Sequence, residues 1–199
     1  EILQELLKSS NDDEQLNINS EITRLSSQLV HVTKKHILDI QELLNILGIP
    51  YITAPDEAEK FCVYLYKNKI VDYVVSDDTD VFAFGCNNVL KTSIKNYITE
   101  INIDILKQKI DYDNNKFLDF CILSGCDYLP TIPGLANNTI YNLFKKYNTI
   151  DNIINLKKYI FPKDYNYDKI RNIFIEFNYD KYDNLNLTIK KVDLNKLEI

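Results

Sequence analysis

The sequence predicts an α/β fold, with a central, mostly parallel sheet flanked by helices and a helical C-terminal portion. Three observations carry this expectation. Residues Ile70 to Ser76 (IVDYVVS) are β-branched and aromatic, lack Gly and Pro, and are bounded by polar chain, the pattern of a strand buried on both faces. Asp77, Asp78 and Asp80 follow at once, at the carboxyl end of that strand, where the ligand crevice of an open sheet lies. Helical periodicity then precedes the strand, in two separate stretches.

Taken in order, Lys8 to Asn19 is polar, with Ser-Ser and Asn-Asp-Asp, and reads as a mobile linker. From Glu21, the apolar residues Leu25, Leu29, Val32, Ile40, Leu43, Leu44 and Leu47 recur near a helical period. They predict one long amphipathic helix, stopped by Gly48 ahead of Pro50. Pro55 suits the first position of a second helix running to about Asn68, with Ala58, Phe61, Cys62 and Leu65 on one face. The strand Ile70 to Ser76 comes next, and a further apolar run, Phe120 to Leu123, ends near Asp127. Beyond Ile154 the chain is rich in Tyr, Asn, Lys and Ile, and only a helix near Asp168 to Phe177 is predicted there.

Composition narrows the classes without choosing among them. At 199 residues and 45% hydrophobic, the chain can bury one sizeable core. No apolar run approaches the ~20 residues of a membrane-spanning helix, and no signal-peptide pattern is visible, so an intracellular protein with no membrane partner is expected. Cys62, Cys86, Cys121 and Cys126 lack paired metal or disulfide spacing and read as reduced thiols. His31 and His36 read as surface or packing residues.

The net charge of −6 is unevenly spread. Residues 1–100 carry 9 basic and 16 acidic side chains, whereas Tyr141 to Arg171 carry seven basic ones (Lys145, Lys146, Lys157, Lys158, Lys163, Lys169 and Arg171) against three aspartates. A basic region beside an acidic pocket suits a phosphate-backbone ligand; an ordinary solvated lysine face is the alternative.

Three acidic clusters stand where apolar segments give way to polar chain: Glu57 with Glu59, Asp78 with Asp80, and Asp127. Crowded carboxylates repel and need cations to offset that repulsion. Oxygen-only donors without His or Cys favour Mg²⁺ or Mn²⁺, and paired ions of this kind drive phosphodiester hydrolysis. Each cluster has a simpler explanation. Glu57 and Glu59 fall in a predicted first helical turn, where the helix dipole favours acids; two residues apart on a helix, they would also point to different sides. Asp78 and Asp80 would suit a solvated turn. An EF-hand is excluded, because its sixth position, counted from Asp78, is Ala83 rather than Gly.

The stretches Gly48 to Cys62 (GIPYITAPDEAEKFC), Val71 to Gly85 (VDYVVSDDTDVFAFG) and Asp119 to Gly134 (DFCILSGCDYLPTIPG) resemble three successive blocks of the flap endonuclease and XPG family of structure-specific 5′ nucleases. The resemblance runs from about Leu29 to Ile154, in the family's order. It implies a PIN-like, 5′-nuclease type of fold and makes Glu57, Glu59, Asp78, Asp80 and Asp127 the metal-site carboxylates that carry catalysis, holding two Mg²⁺ or Mn²⁺ ions. Asp77 matches a variable position and is left out. Residues Asp127 to Lys146 resemble the family's helix-turn-helix element, which grips duplex DNA and binds a monovalent cation such as K⁺. Thr131, Ile132 and Gly134 match its turn, with Thr131 and Ile132 as cation ligands; Thr131, Gly134, Lys145 and Lys146 are the DNA-binding candidates.

The match also departs from the pattern. The second glycine of the turn is Ala136, which is expected to strain it, and the basic pair that normally follows is Asn137 and Asn138. Two further aspartates and an arch Lys and Arg, expected upstream of the first block, are absent, so the chain is expected to be the C-terminal part of a larger nuclease, weak or inactive alone. On this basis residues 1–20 are an arch remnant, 21–115 the internal nuclease region, 116–155 the helix-turn-helix element and 156–199 a helical region packed on the same domain. The function implied is metal-dependent cleavage of DNA at 5′ flaps or ends in replication and repair, in the nucleus if the source is eukaryotic. Its partners are branched or ended DNA, the missing N-terminal segment in the same or a separate chain, and a sliding clamp bound through a tail not present here. The alternative is a non-catalytic DNA-binding or scaffold module of the same fold.

Overall fold

The computed structural model describes residues 15, 18–20, 22–24, 32–92, 97–182, 185 and 187–193. They fall into two compact units, residues 52–186 and the flanking segments 1–51 with 187–199. The linker expected over Lys8 to Asn19 lies outside the described residues except at 15, 18 and 19, which are helical.

In the flanking unit, helix α1 spans Lys34–Leu47. Thr33, in extended conformation, caps it: its hydroxyl accepts the His36 amide at 3.4 Å while His36 Nδ1 accepts the Thr33 amide at 3.3 Å. The single long helix expected from Glu21 is therefore corrected, because the extended backbone at Thr33 starts a new helix there. His36 is a capping residue, and His31 lies outside the described residues. Gly48 ends α1 at φ 71°, and a Cβ there would come within 2.2 Å of the Lys190 carbonyl oxygen. The Lys190 amide in turn donates to the Gly48 carbonyl at 2.8 Å, so glycine is needed both for its left-handed backbone and for this close approach.

In the larger unit, helix α2 spans Ala58–Lys67, strand β1 Val74–Val75, helix α3 Asp80–Ala83, strand β2 Asn88–Thr92, strand β3 Ile98–Asn102 and helix α4 Ile103–Ile110. Helices α5 (Asn114–Ser124), α6 (Asn137–Tyr147), α7 (Ile150–Ile154) and α8 (Tyr167–Ile175) follow. The α/β class holds, as does the helix expected near 168–177. The sheet differs in detail. Among the described residues, β1 pairs parallel with β2 and β2 pairs antiparallel with β3, in the order β1-β2-β3. The strand expected over Ile70 to Ser76 is confined to two residues, because β1 is an edge here: Val74 is buried, whereas Tyr73 and Val75 are exposed.

Asparagines join the sheet to its helices. Asn102 donates from its amide to Asn88 at 2.8 Å, and its oxygen caps α4 by accepting the Ile105 amide at 3.2 Å. The core beneath gathers Val63, Val81, Phe84, Ile122, Ile140, Phe144, Ile150, Ile153 and Phe174, all essentially inaccessible. Each such side chain contributes about 1.5–3 kcal/mol through burial. Phe84 packs on Phe174 with ring centroids 4.8 Å apart, tying α8 to the segment that follows α3. No helix among the described residues is long and apolar enough to cross a membrane.

Candidate functional site

The first acidic cluster sits at the start of α2, which begins at Ala58 rather than at Pro55. Glu57 is the N-cap residue, with extended backbone (φ −70°, ψ 124°), and makes no side-chain capping bond. The dipole-capping explanation therefore loses its usual bond at Glu57, whose carboxylate instead accepts the hydroxyl of Tyr128, distant in the sequence. Because Glu57 is not helical, the geometry that would send Glu57 and Glu59 to different sides does not apply. Asp56, just ahead, accepts the Tyr179 hydroxyl, so both acids at this helix entry are held by tyrosines.

The second cluster is a tight, internally bonded loop after β1. Ser76 Oγ accepts the Asp78 amide at 3.0 Å, and Asp78 Oδ1 accepts the Asp80 amide at 2.8 Å, at the first residue of α3. Asp77 is engaged elsewhere: its carboxylate accepts Thr92 Oγ1 at 3.1 Å and its carbonyl accepts Lys91 Nζ at 2.8 Å. That agrees with its omission from the site. The third acid, Asp127, is exposed in the turn closed by the Leu129 amide on the Cys126 carbonyl at 3.3 Å, beyond the end of α5.

These clusters meet at Asp80. Its carboxyl is pushed up to about 6, first by burial and then by the negative charges of Asp78, Asp127, Glu57 and Glu59. A mainly apolar recess of about 350 Å³ lies beside it, lined in part by Ile103, Leu106, Phe117 and Phe120. A half-buried acid facing four like charges is the arrangement a hard cation relieves, and the all-oxygen donor set fits Mg²⁺ or Mn²⁺. Among the described residues, no group of three or more His, Cys, Asp or Glu side chains is placed closely enough to hold a metal ion as it stands.

The turn between α5 and α6 carries the nucleic-acid candidates. Gly134 takes φ 83°, the left-handed value its sequence position calls for, and the Leu135 amide donates to the Ile132 carbonyl at 3.0 Å. Ile132 is buried and Thr131 exposed, so the two proposed cation ligands differ in access. The expectation that Ala136 strains the turn is corrected: it is the N-cap of α6 at φ −78°, a value open to any residue. Lys145 and Lys146 are exposed in the last turn of α6, with their ammonium groups 5.1 and 5.2 Å from the ring centroids of Tyr141 and Tyr147.

Arg171 does not belong with the free basic residues. It forks onto Asp119 through Nε and Nη2, both at 2.6 Å, and reaches Asp168 at 2.5 Å. These bonds hold its guanidinium charge firmly in place, with Asp119 itself only 7% exposed. Sequence reasoning also passed over Ser76 and Tyr128. Tyr128 adjoins Asp127, but its partner Glu57 lies 71 residues away and left no local signal.

The family model described as the XPG I-region matches residues 48–127. The chain is 35% identical over 192 residues to flap endonuclease 1 of Plasmodium knowlesi (strain H), a match that covers 86% of this chain and 32% of that protein. It is 34% identical over 195 residues to flap endonuclease 1 of Brugia malayi, covering 94% of this chain and 52% of that protein. Among solved structures, flap endonuclease-1 from Methanococcus jannaschii superimposes with a TM-score of 0.68 at 25% identity, covering 94% of this chain and 56% of that one. The catalytic core of Rad2 in complex with DNA substrate gives a TM-score of 0.74 at 23% identity, covering 89% and 65%, and shows the shared 5′-nuclease fold. The chain thus spans between about a third and about half of the length of these curated relatives.

Proposed function

The chain belongs to the flap endonuclease and XPG family of nucleases, and from that premise we propose that it supplies most of the acidic centre of a metal-dependent, structure-specific 5′ nuclease acting on DNA at flaps or ends. The observation that carries the proposal is the position of Asp80, half-buried, bonded through its amide to the Asp78 carboxylate, and with its own carboxyl raised first by burial and then by the charges of Asp78, Asp127, Glu57 and Glu59. Residues spread from 57 to 127 act on one point.

In this proposal Glu57, Glu59, Asp78, Asp80 and Asp127 hold two Mg²⁺ or Mn²⁺ ions, joined by further carboxylates from an N-terminal segment of the same or a separate chain. The ions, when bound, would activate water and stabilise the oxygens of an in-line displacement at phosphorus. The loop Ser76–Asp80 fixes the Asp78 carboxylate and the backbone that carries Asp80 before any ion arrives, which limits reorganisation. A bound cation would offset the crowding of negative charge at Asp80. On the far side, Thr131, Gly134, Lys145 and Lys146 would hold the phosphates of uncut duplex, with Thr131 and Ile132 offering oxygens to K⁺. The proposal places the protein where DNA is replicated and repaired, with a sliding clamp reached through a tail beyond residue 199.

A second reading, a non-catalytic DNA-binding module, is favoured by one observation: among the described residues no group of three or more carboxylates is placed to hold a metal ion. Cleavage of a 5′-flap DNA in Mg²⁺ by the full protein carrying this chain separates the two. The nuclease is expected to cut, and Asp78→Asn or Asp127→Asn each to slow cutting by roughly two or more orders of magnitude with DNA binding retained. Full activity in both variants would reject the assignment.

A further inference from the structure

Tyr128 is half-buried and hydrogen-bonds the Glu57 carboxylate, 71 residues away in the sequence. Its ring is not free to swing. It packs edge-on against Phe174 of α8, with centroids 5.6 Å apart and planes at 79°, and Phe174 is 1% exposed. Helix α8 is in turn locked to α5 by the Arg171–Asp119 fork. A continuous chain of packed groups therefore runs from α5 through α8 and the Tyr128 ring to one oxygen of Glu57, leaving the other oxygen uncommitted to it.

We propose that Tyr128 is a positioning residue, whose hydroxyl fixes the orientation of Glu57 so that its second oxygen faces the cation site around Asp80. The inference rests on the metal-centre reading given above. Glu57 needs such a brace for a stated reason: at the N-cap of α2 it makes no side-chain bond to its own helix, so nothing local sets its rotamer. An outer hydrogen-bond partner that orients a ligand typically contributes 10–100-fold in metal affinity. Phenol also suits the role chemically, because it donates to the carboxylate yet brings no charge to compete with a cation.

The test is Mn²⁺ binding to the full protein carrying this chain by calorimetry, comparing the unsubstituted protein, Tyr128→Phe, Glu57→Gln and the double variant, with thermal unfolding recorded alongside. Phenylalanine keeps the ring and its contact with Phe174, so the unfolding midpoint should stay within about 2 °C while Mn²⁺ affinity falls about tenfold. The double variant should bind no more weakly than Glu57→Gln alone, since both changes remove one function. Unchanged affinity in Tyr128→Phe, or losses that add in the double variant, would overturn the inference and leave the metal centre standing. Failure of the unsubstituted full protein to bind Mn²⁺ would overturn both. If Tyr128→Phe is destabilised, the non-additivity measured in the Glu57→Gln background still decides the matter.

Discussion

Asp78 Oδ1 accepts the backbone amide of Asp80 at 2.8 Å, so one acid of the site holds the residue that bears another. The bond does two things at once. It starts α3 at a defined place, and it sets a negative charge beside the one carboxyl that is raised to about 6. Asp78→Asn keeps an oxygen that can accept the same amide, but removes the charge. Asp80 is therefore expected to titrate lower in that variant with the fold unchanged, which a carboxyl-carbon NMR titration would read directly. An unmoved Asp80 would mean that the charge of Asp78 does not contribute to its value.

Asp80 also makes metal-free stability depend on pH in a known direction. Its folded value, about 6, lies above the ordinary 3.8, so the native state binds a proton that the unfolded chain releases across that interval. The stabilisation is present below the ordinary value and is lost as pH rises through about 6. With a chelator present, the melting temperature should fall as pH rises through this window, and Asp80→Asn should flatten the fall. At pH 7 the asparagine variant should melt ~2–4 °C higher than the parent, as expected for ~1 kcal/mol in a chain of this size. Added Mg²⁺ should raise the parent and not the variant.

Glu57, Glu59, Asp78, Asp80 and Asp127 stand out in the sequence because each follows an apolar segment, while their proposed role as metal ligands comes from the family resemblance. Other features were not legible, for physical reasons. The length of β1 depends on which neighbours cover Tyr73 and Val75, and a β-branched run looks the same whether it is covered or exposed. Arg171 counted as a free cation until Asp119, 52 residues away, proved to be its partner. Ala136 looked strained by its place in a pattern, whereas the turn concentrates its left-handed conformation at Gly134. In each case a partner or a dihedral angle distant from the local pattern decided the outcome.

The Arg171–Asp119 pair yields a stability prediction with a built-in control. Arg171→Leu leaves a carboxylate that is 7% exposed without its partner, at an expected cost of roughly 3 kcal/mol. Arg171→Lys keeps the charge but not the fork, and should recover only part of that loss. Replacing both members, with Asp119→Leu added, should lie closer to the parent than Arg171→Leu alone, because no unpaired charge remains. Urea unfolding would measure all three; a double variant less stable than Arg171→Leu would show that the pair does more than neutralise itself.

Duplex grip at the turn before α6 should respond to charge and to one glycine, and not to the alanine. Gly134 stands at φ 83° with nothing within 4 Å of where a Cβ would project, so Gly134→Ala meets no neighbouring atom but is strained by the left-handed backbone, at a cost of about 1–2 kcal/mol of stability. Ala136 already has φ −78°, so Ala136→Gly relieves nothing and should not improve DNA binding. The weak point is electrostatic: Asn137 and Asn138, at the start of α6, bring no charge to a backbone ligand. Asn137→Lys with Asn138→Lys is expected to tighten duplex binding and to steepen its salt dependence by nearly two in the log–log slope, as two added phosphate contacts require. Lys145→Ala with Lys146→Ala should shift both quantities the opposite way. Equal affinities and slopes across these variants, measured by fluorescence anisotropy at several salt concentrations, would place the duplex on another face of the molecule.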